Sequence, residues 1–281
     1  MSDLARARDQ VGEVVAVEML EGGLVELAVR LPHIAAWARP GEFAQLRCGE
    51  GIDPLLRRPF SVAWTDGDLC GFVLEPVGVG TRRLVALRSG DPLRALGPLG
   101  NGFSVDPPPG RALIVSGGLG CAPFPLLVAE LRRLGCTEIT VLSGAATASR
   151  LYPPERFARG GAQVSVVEST DDGSRGHRGL VTDLVAERCE GTTTVYGCGP
   201  NPMLAALAAT CRTAPHPPRR VQVSLEAPMG CGFGVCLGCV LPVADSATGA
   251  AWALCCRQGP VMEASEVAWP ALLALPPARV A

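Results

Sequence analysis

The sequence predicts a multidomain chain: an N-terminal antiparallel β-barrel, an α/β domain built on a parallel sheet, and a small C-terminal domain rich in cysteine. Three observations predict it. Residues 11 to about 105 hold short Val- and Leu-rich runs broken by Gly, Pro and Asp, the pattern of a small antiparallel barrel. From Arg111 to Cys211 apolar strands alternate with segments of helical period, the pattern of a Rossmann-type sheet. Beyond these, Cys231, Cys236, Cys239, Cys255 and Cys256 crowd among glycines. Two proline-rich breaks, Asp106-Pro107-Pro108-Pro109-Gly110 and Thr213-Ala214-Pro215-His216-Pro217-Pro218, give expected domains of 1–105, 106–214 and 215–281.

In chain order, 11–19 and 24–31 read as strands joined by the turn Glu21-Gly22-Gly23. Short strands follow at 43–47, 60–63 and 70–76, punctuated by Pro40-Gly41 and Asp66-Gly67. Residues 111–116 form a continuous apolar strand that runs into Gly117-Gly118-Leu119-Gly120. The spacing then predicts a helix over 124–134, strands over 138–143 and 163–168, a helix over 180–188, a strand over 192–196 and a helix over 202–211. An apolar tail, 267–281, follows the cysteine segment.

The cysteine segment carries the strongest signal. Cys231, Cys236 and Cys239 stand in C-x4-C-x2-C spacing, with a further cysteine beyond a loop at Cys255 or Cys256. That is plant-type spacing for a [2Fe-2S] cluster, which needs four thiolates. Gly230, Gly232, Gly234 and Gly238 suit it, because glycine can turn backbone N–H groups toward a compact anion. A zinc site would show two short-spaced ligand pairs, disulfides would need an oxidising compartment, and buried free cysteines have no reason to alternate with glycine. The other seven cysteines, scattered from Cys48 to Cys211, are expected to be reduced and buried.

A chain of 281 residues with net charge −2 and pI near 6.0 favours neither nucleic acid nor an anionic membrane as partner. All 25 basic residues are arginine. The polar N-terminus lacks the apolar core of a signal peptide, and no apolar run reaches the roughly 18–20 residues of a membrane span. A cytoplasmic location is expected.

Gly118 and Gly120 fall at a strand-to-helix turn, where N–H groups can hold a phosphate, although the run lacks the full G-x-G-x-x-G and could be a plain turn. Arg57-Arg58-Pro59-Phe60-Ser61 offers an arginine fork for a pyrophosphate and a hydroxyl after a rigid proline; a solvated arginine pair is the alternative. Gly78-Val79-Gly80-Thr81 could add a backbone N–H and a hydroxyl, or be a simple glycine turn. Thr170-Asp171-Asp172-Gly173-Ser174 and Tyr196-Gly197-Cys198-Gly199-Pro200 end two strands at the edge where open α/β sheets bind ligands, and Cys198 could face a nicotinamide ring or be merely buried. None of His33, His177 and His216 looks poised as a general base, which suits a chain that only moves electrons.

With these residues in hand, the chain resembles the electron-transfer subunit of class 1B dihydroorotate dehydrogenase, within the ferredoxin-NADP reductase superfamily. The resemblance rests on Pro40-Gly41-Glu42-Phe43, Arg58-Pro59-Phe60-Ser61, Gly78-Val79-Gly80-Thr81, Gly97-Pro98-Leu99-Gly100-Asn101-Gly102-Phe103, Gly117-Gly118-Leu119-Gly120-Cys121-Ala122-Pro123, Thr170 to Ser174, Cys198-Gly199-Pro200-Asn201-Pro202-Met203 and the cysteine segment ending in Gly259-Pro260-Val261. It implies that the barrel binds FAD through Arg58, Pro59, Phe60, Ser61, Val73, Leu74, Glu75, Gly80 and Thr81, and that the α/β domain binds NAD near Gly118, Gly120 and Cys198. It places the cluster on Cys231, Cys236, Cys239 and Cys256, choosing Cys256 because the family's fourth ligand directly precedes x-x-Gly-Pro-Val. Cys121 stands where the family usually has an aliphatic residue. The implied reaction is a relay: a partner subunit carrying FMN oxidises dihydroorotate to orotate, electrons pass singly through the cluster to FAD, and a hydride goes to NAD+. Two copies of each subunit are implied. The rivals are a reductase subunit serving a hydrogenase or a ferredoxin-linked transhydrogenase, and a cofactor-free homologue.

Overall fold

A computed structural model describes residues 4–161, 163–192, 194–244 and 251–276. Seven antiparallel strands form the first sheet: β1 (Arg8–Met19), β2 (Val25–Arg30), β3 (Phe43–Leu46), β4 (Arg58–Ser61), β5 (Trp64–Asp66), β6 (Leu69–Leu74) and β7 (Pro92–Leu99), in the order β4-β3-β7-β1-β2-β6-β5. The expected strands are present, each shifted by a few residues. Four elements were not legible, the short edge strand β5 among them. β7 begins with a proline and holds Gly97-Pro98, both poor strand signals, yet it pairs with β1 and β3. Pro32 opens the short helix α1 (Pro32–Trp37), which carries a half-buried His33. The glycine turn at 78–81 opens a helix, α2 (Val79–Val85), because the Thr81 hydroxyl caps the Gly78 N–H at 3.0 Å.

The second sheet is β8 (Arg111–Gly117), β9 (Glu138–Ala145), β10 (Ser165–Thr170), β11 (His177–Arg178), β12 (Thr194–Cys198) and β13 (Arg220–Ser224), all parallel. Helices α3 (Phe124–Arg133), α4 (Pro154–Phe157), α5 (Val185–Cys189) and α6 (Asn201–Thr213) connect them. In β8, Ala112, Leu113, Ile114 and Val115 are all buried, as a strand covered on both faces requires. The order β11-β10-β9-β8-β12-β13 reverses direction between β8 and β12, and a crevice opens at that switch point.

The hairpin β14 (Val240–Val243) and β15 (Ala251–Leu254) follows the cysteine loop, and β16 (Val261–Glu263) then adds to β13 antiparallel. The two strands β13 and β16 lie beyond the expected boundary at 214/215 and pair into the second sheet, so the cysteine segment is a loop and hairpin hung between them. The expected tail begins as α7 (Trp269–Leu273); positions 277–281 lie outside the described residues. One apolar core joins Phe43 of the barrel, Leu113 and Val195 of the second sheet, and Cys239, Leu241 and Cys255 of the cysteine segment. The three parts are therefore packed on one another.

Candidate metal centre and dinucleotide crevice

The four expected ligands fall into two pairs. Cys239 Sγ lies 3.2 Å from Cys256 Sγ, and Cys231 faces Cys236. Two irons that each take two thiolates need this pairing. Gly232 (φ 83°) and Gly234 (φ 88°) turn the backbone so that the Phe233 N–H points at Cys231 Sγ at 3.5 Å. The Cys256 N–H points at Cys239 Sγ, also at 3.5 Å. Burial opposes ionisation of Cys231, but N–H groups from this loop outweigh it and lower the thiol to about 6. Burial holds Cys256 up at about 12, with the neighbouring Cys239 adding to it.

The adjacent Cys255 and Cys256 send their thiols in different directions. The Cys255 N–H bonds the Cys239 carbonyl at 2.9 Å, and its Sγ turns away to the Leu225 carbonyl at 3.4 Å. Cys255 is thus a buried core thiol. Gln45 adds a test of fit. On β3, Ala44 and Leu46 point into the barrel core, while Phe43 and Gln45 face the cysteine segment. Gln45 is fully buried against Gly232, and neither its Nε2 nor its Oε1 has a partner among the described residues. A buried orphan amide costs about 1–3 kcal/mol, so a polar group belongs there. The paired thiols and the orphan amide suit the chemistry of a [2Fe-2S] cluster, which Cys231, Cys236, Cys239 and Cys256 would hold.

At the switch point, a crevice of about 450 Å³ is lined by Gly117, Gly118 and Leu119 at the end of β8, Ala145 at the end of β9, Asp171, Met203, and from the barrel Leu24 and Glu75. Gly118 (φ 56°) faces open space. A Cβ on Gly120 would sit 2.2 Å from the Cys198 carbonyl oxygen, so the glycine turn and the end of β12 are in direct contact. Cys198 is buried; burial first, and Glu226 second, push its thiol to about 12. The protein around Glu226 raises its carboxyl in turn, though the side chain stays accessible.

Arg58, Pro59, Phe60 and Ser61 are half-buried on β4, opposite Leu46, Gln45, Ala44 and Phe43. The position of a Gly80 Cβ lies 3.4 Å from Arg58 Nε, which brings Arg58 beside Gly80 and Thr81. Arg58 bonds only the nearby carbonyls of Leu56 and Arg57, and it has no carboxylate partner among the described residues. Its fork is open to an anion such as a pyrophosphate. Val73 and Leu74 are buried in β6. Glu75 instead sends its side chain to Arg150 at 2.5 Å, on the crevice wall. Sequence reasoning passed over Gln45, Glu26, Arg150, Tyr152, Arg156 and Glu226. The available signal was a lone polar residue inside an apolar strand, as in Phe43-Ala44-Gln45-Leu46 and Val25-Glu26-Leu27.

Residues 226–268 match the family model of the iron-sulfur cluster binding domain of dihydroorotate dehydrogenase B. Over 258 residues the chain is 38% identical to the dihydroorotate dehydrogenase B (NAD(+)) electron transfer subunit of Geobacillus thermodenitrificans, covering 90% of this chain and 96% of the relative. The chain belongs to this family. The Desulforamulus reducens member is 34% identical over 92% of this chain and 97% of its own length. Among solved structures, the NADH-dependent reduced ferredoxin-NADP oxidoreductase studied for flavin-based electron bifurcation superposes with a TM-score of 0.80 at 28% identity, covering 94% of this chain and 92% of the other. The ferredoxin reductase of carbazole 1,9a-dioxygenase, at 21% identity and a TM-score of 0.65, shares the fold. The family resemblance and the fold class expected from the sequence are both borne out. Among the described residues no helix is long and apolar enough to cross a membrane.

Proposed function

We propose that this chain is the oxidoreductase subunit that carries electrons from an FMN-bearing dihydroorotate dehydrogenase catalytic subunit to NAD+, through a [2Fe-2S] cluster and FAD. The observation that carries the reading is the two thiol pairs, Cys231 with Cys236 and Cys239 with Cys256, the second of which packs through one core onto the sheet whose switch point holds the crevice. When bound, the cluster exchanges single electrons and the flavin converts between single electrons and hydride.

The chain's own residues bind and orient. Arg58, beside Gly80 and Thr81, would neutralise the FAD pyrophosphate, and Pro59, Phe60 and Ser61 with Val73, Leu74 and Glu75 would hold the flavin on the barrel. Gly118, open on its Cβ side, would leave room for the NAD pyrophosphate, Gly120 lets the turn pack against the end of β12, and Cys198, neutral at physiological pH, would stand near the nicotinamide. The flavin part spans 1–105 and the nicotinamide part opens at 106. β13 and β16 complete the nicotinamide sheet, while the cysteine loop and β14–β15 form the cluster part.

Exposed apolar side chains stand on the cysteine loop and its hairpin: Val235, Leu237, Val240 and Trp252. Exposed apolar residues of this kind support docking of the catalytic partner on the cluster part; an assembly of two plus two in the cytoplasm is part of the proposal. The test is anaerobic purification with iron, sulfide and flavin analysis, a dithionite-reduced EPR spectrum, and co-expression with the catalytic subunit. About two irons and two sulfides, bound FAD and recovery of dihydroorotate-dependent NAD+ reduction are expected. Zinc without iron, or no flavin, overturns it. The likeness to the bifurcating oxidoreductase favours one alternative, service to a ferredoxin-linked transhydrogenase; failure to capture a dihydroorotate-oxidising partner would favour that instead.

A further inference from the structure

On the barrel, Glu18 of β1 stands directly across from Glu26 of β2. Two like charges in facing positions of an antiparallel pair repel, and Glu26 is only 4% exposed. The relief comes from the other half of the molecule. Arg156, on α4, donates to Glu18 Oε1 and reaches Glu26 Oε1 at 3.1 Å, so one guanidinium bridges both carboxylates. Arg159 donates to the same Glu26 oxygen, and its guanidinium carbon lies 4.0 Å over the Trp64 ring. The Trp64 Nε1–H donates to Glu26 Oε1 at 3.0 Å, and the Tyr152 hydroxyl to Oε2 at 3.3 Å. A fourth arginine contact, Arg150 to Glu75, joins the same two halves at the crevice wall.

Three carboxylates of the barrel are thus matched by three arginines of one short segment after β9. Shape agrees with charge. The turn between β1 and β2 presses on that segment so closely that a Cβ on Gly22 (φ 74°) would sit 1.9 Å from the Ser149 carbonyl oxygen. Tyr152 and Phe157 meet edge-on at 5.1 Å and are buried in the core shared with α3, which roots the segment in the α/β half. The crevice lies between these halves, lined by Gly22, Leu24 and Glu75 on one side and Gly118, Ala146 and Arg150 on the other.

We propose that residues 148–159 are a latch that fixes the angle between the barrel and the α/β sheet, and that Glu26 is a positioning residue for hydride transfer across the crevice. Glu26 touches neither nucleotide in this scheme. It acts by holding Arg156 and Arg159, and through them the wall that carries the second nucleotide. The part concerning hydride transfer rests on the function proposed above; the latch itself does not.

The test uses the full chain, as apo protein and loaded with FAD and cluster. Hydrogen exchange of amides in 148–159 and 20–26 is measured for the wild type, Glu26→Gln, Arg156→Met and the double variant, and flavin reduction by NADH is followed by stopped flow. Each single variant is expected to exchange at least tenfold faster on both sides, and the double variant no faster than the worse single. The limiting rate of flavin reduction should fall at least fivefold in Glu26→Gln while its flavin content stays at the wild-type level. Exchange or a limiting rate within twofold of wild type overturns the proposal. If Glu26→Gln does not fold, Arg156→Lys decides, since it keeps the charge and removes the fork that bridges two carboxylates: a threefold rise in exchange supports the latch, and wild-type exchange sinks it. A wild-type chain that NADH does not reduce would refute the proposed function while exchange still judges the latch.

Discussion

The Cys239 and Cys256 sulfurs lie 3.2 Å apart, and the Cys256 N–H points at the Cys239 sulfur. Cys255, one residue away, turns its thiol to the Leu225 carbonyl. Cys256→Ser should therefore lose the cluster, leaving well under half of the wild-type iron and no rhombic EPR signal. Cys255→Ser should keep both, with a stability loss of about 1 kcal/mol from a polar atom in the core. Iron analysis and EPR of the two variants check this; a cluster retained in Cys256→Ser and lost in Cys255→Ser would reverse the assignment.

The thiols also differ in acidity. In the cluster-free chain at pH 7, Cys231 is largely thiolate, because its value is near 6, whereas Cys198, Cys70 and Cys211 stand near 12 through burial. Iodoacetamide at pH 7 should label Cys231 within minutes and leave the other three unmodified, as read by peptide mass mapping. Stability carries the matching sign. An unfolded thiol titrates near about 8.5, while these three stay protonated in the fold up to about 12. Their contribution is complete below about pH 8.5 and is lost as pH rises toward 12, by at most about 1.4 kcal/mol per pH unit for each group. Urea midpoints of the cluster-free chain should fall steadily from pH 8.5 to 10.5.

Gly120→Ala places a methyl 2.2 Å from the Cys198 carbonyl, where backbone must move. NADH-driven dye reduction should fall at least tenfold, with flavin and iron content unchanged and a stability loss of about 1–3 kcal/mol. Loss of flavin alongside activity would show that the turn serves the wrong nucleotide.

Gln45→Leu removes the orphan amide that faces the cysteine loop at Gly232. If that amide donates toward the sulfurs, its loss makes the cluster harder to reduce, since hydrogen bonds to sulfur raise the potential. An EPR-monitored redox titration should show the midpoint shifted downward, and an unmoved midpoint would assign the amide to packing.

Much of this was written locally. Phe124 to Arg133 declares its helix by period, Arg111 to Gly117 declares a doubly covered strand, and C-x4-C-x2-C declares a cluster, because each depends on neighbours a few residues away. β7 was illegible because its prolines hide a strand that long-range pairing with β1 and β3 supplies. The 78–81 turn concealed a helix whose cap is one side-chain bond.

By itself, then, the sequence determined the two sheets, the glycine turns and the three closely spaced ligands, all set by spacing along the chain. The tertiary structure added the directions of the two adjacent cysteines, because rotation about the backbone aims neighbouring side chains differently: Cys256 toward Cys239, Cys255 toward the Leu225 carbonyl. It also drew β13 and β16 into the nicotinamide sheet, and set Glu18, Glu26 and Arg156 in contact although 138 positions separate the first from the last. Charges that remote carry no pattern in one dimension. Their meaning comes from burial, where an unpaired carboxylate is too costly to leave without its partner.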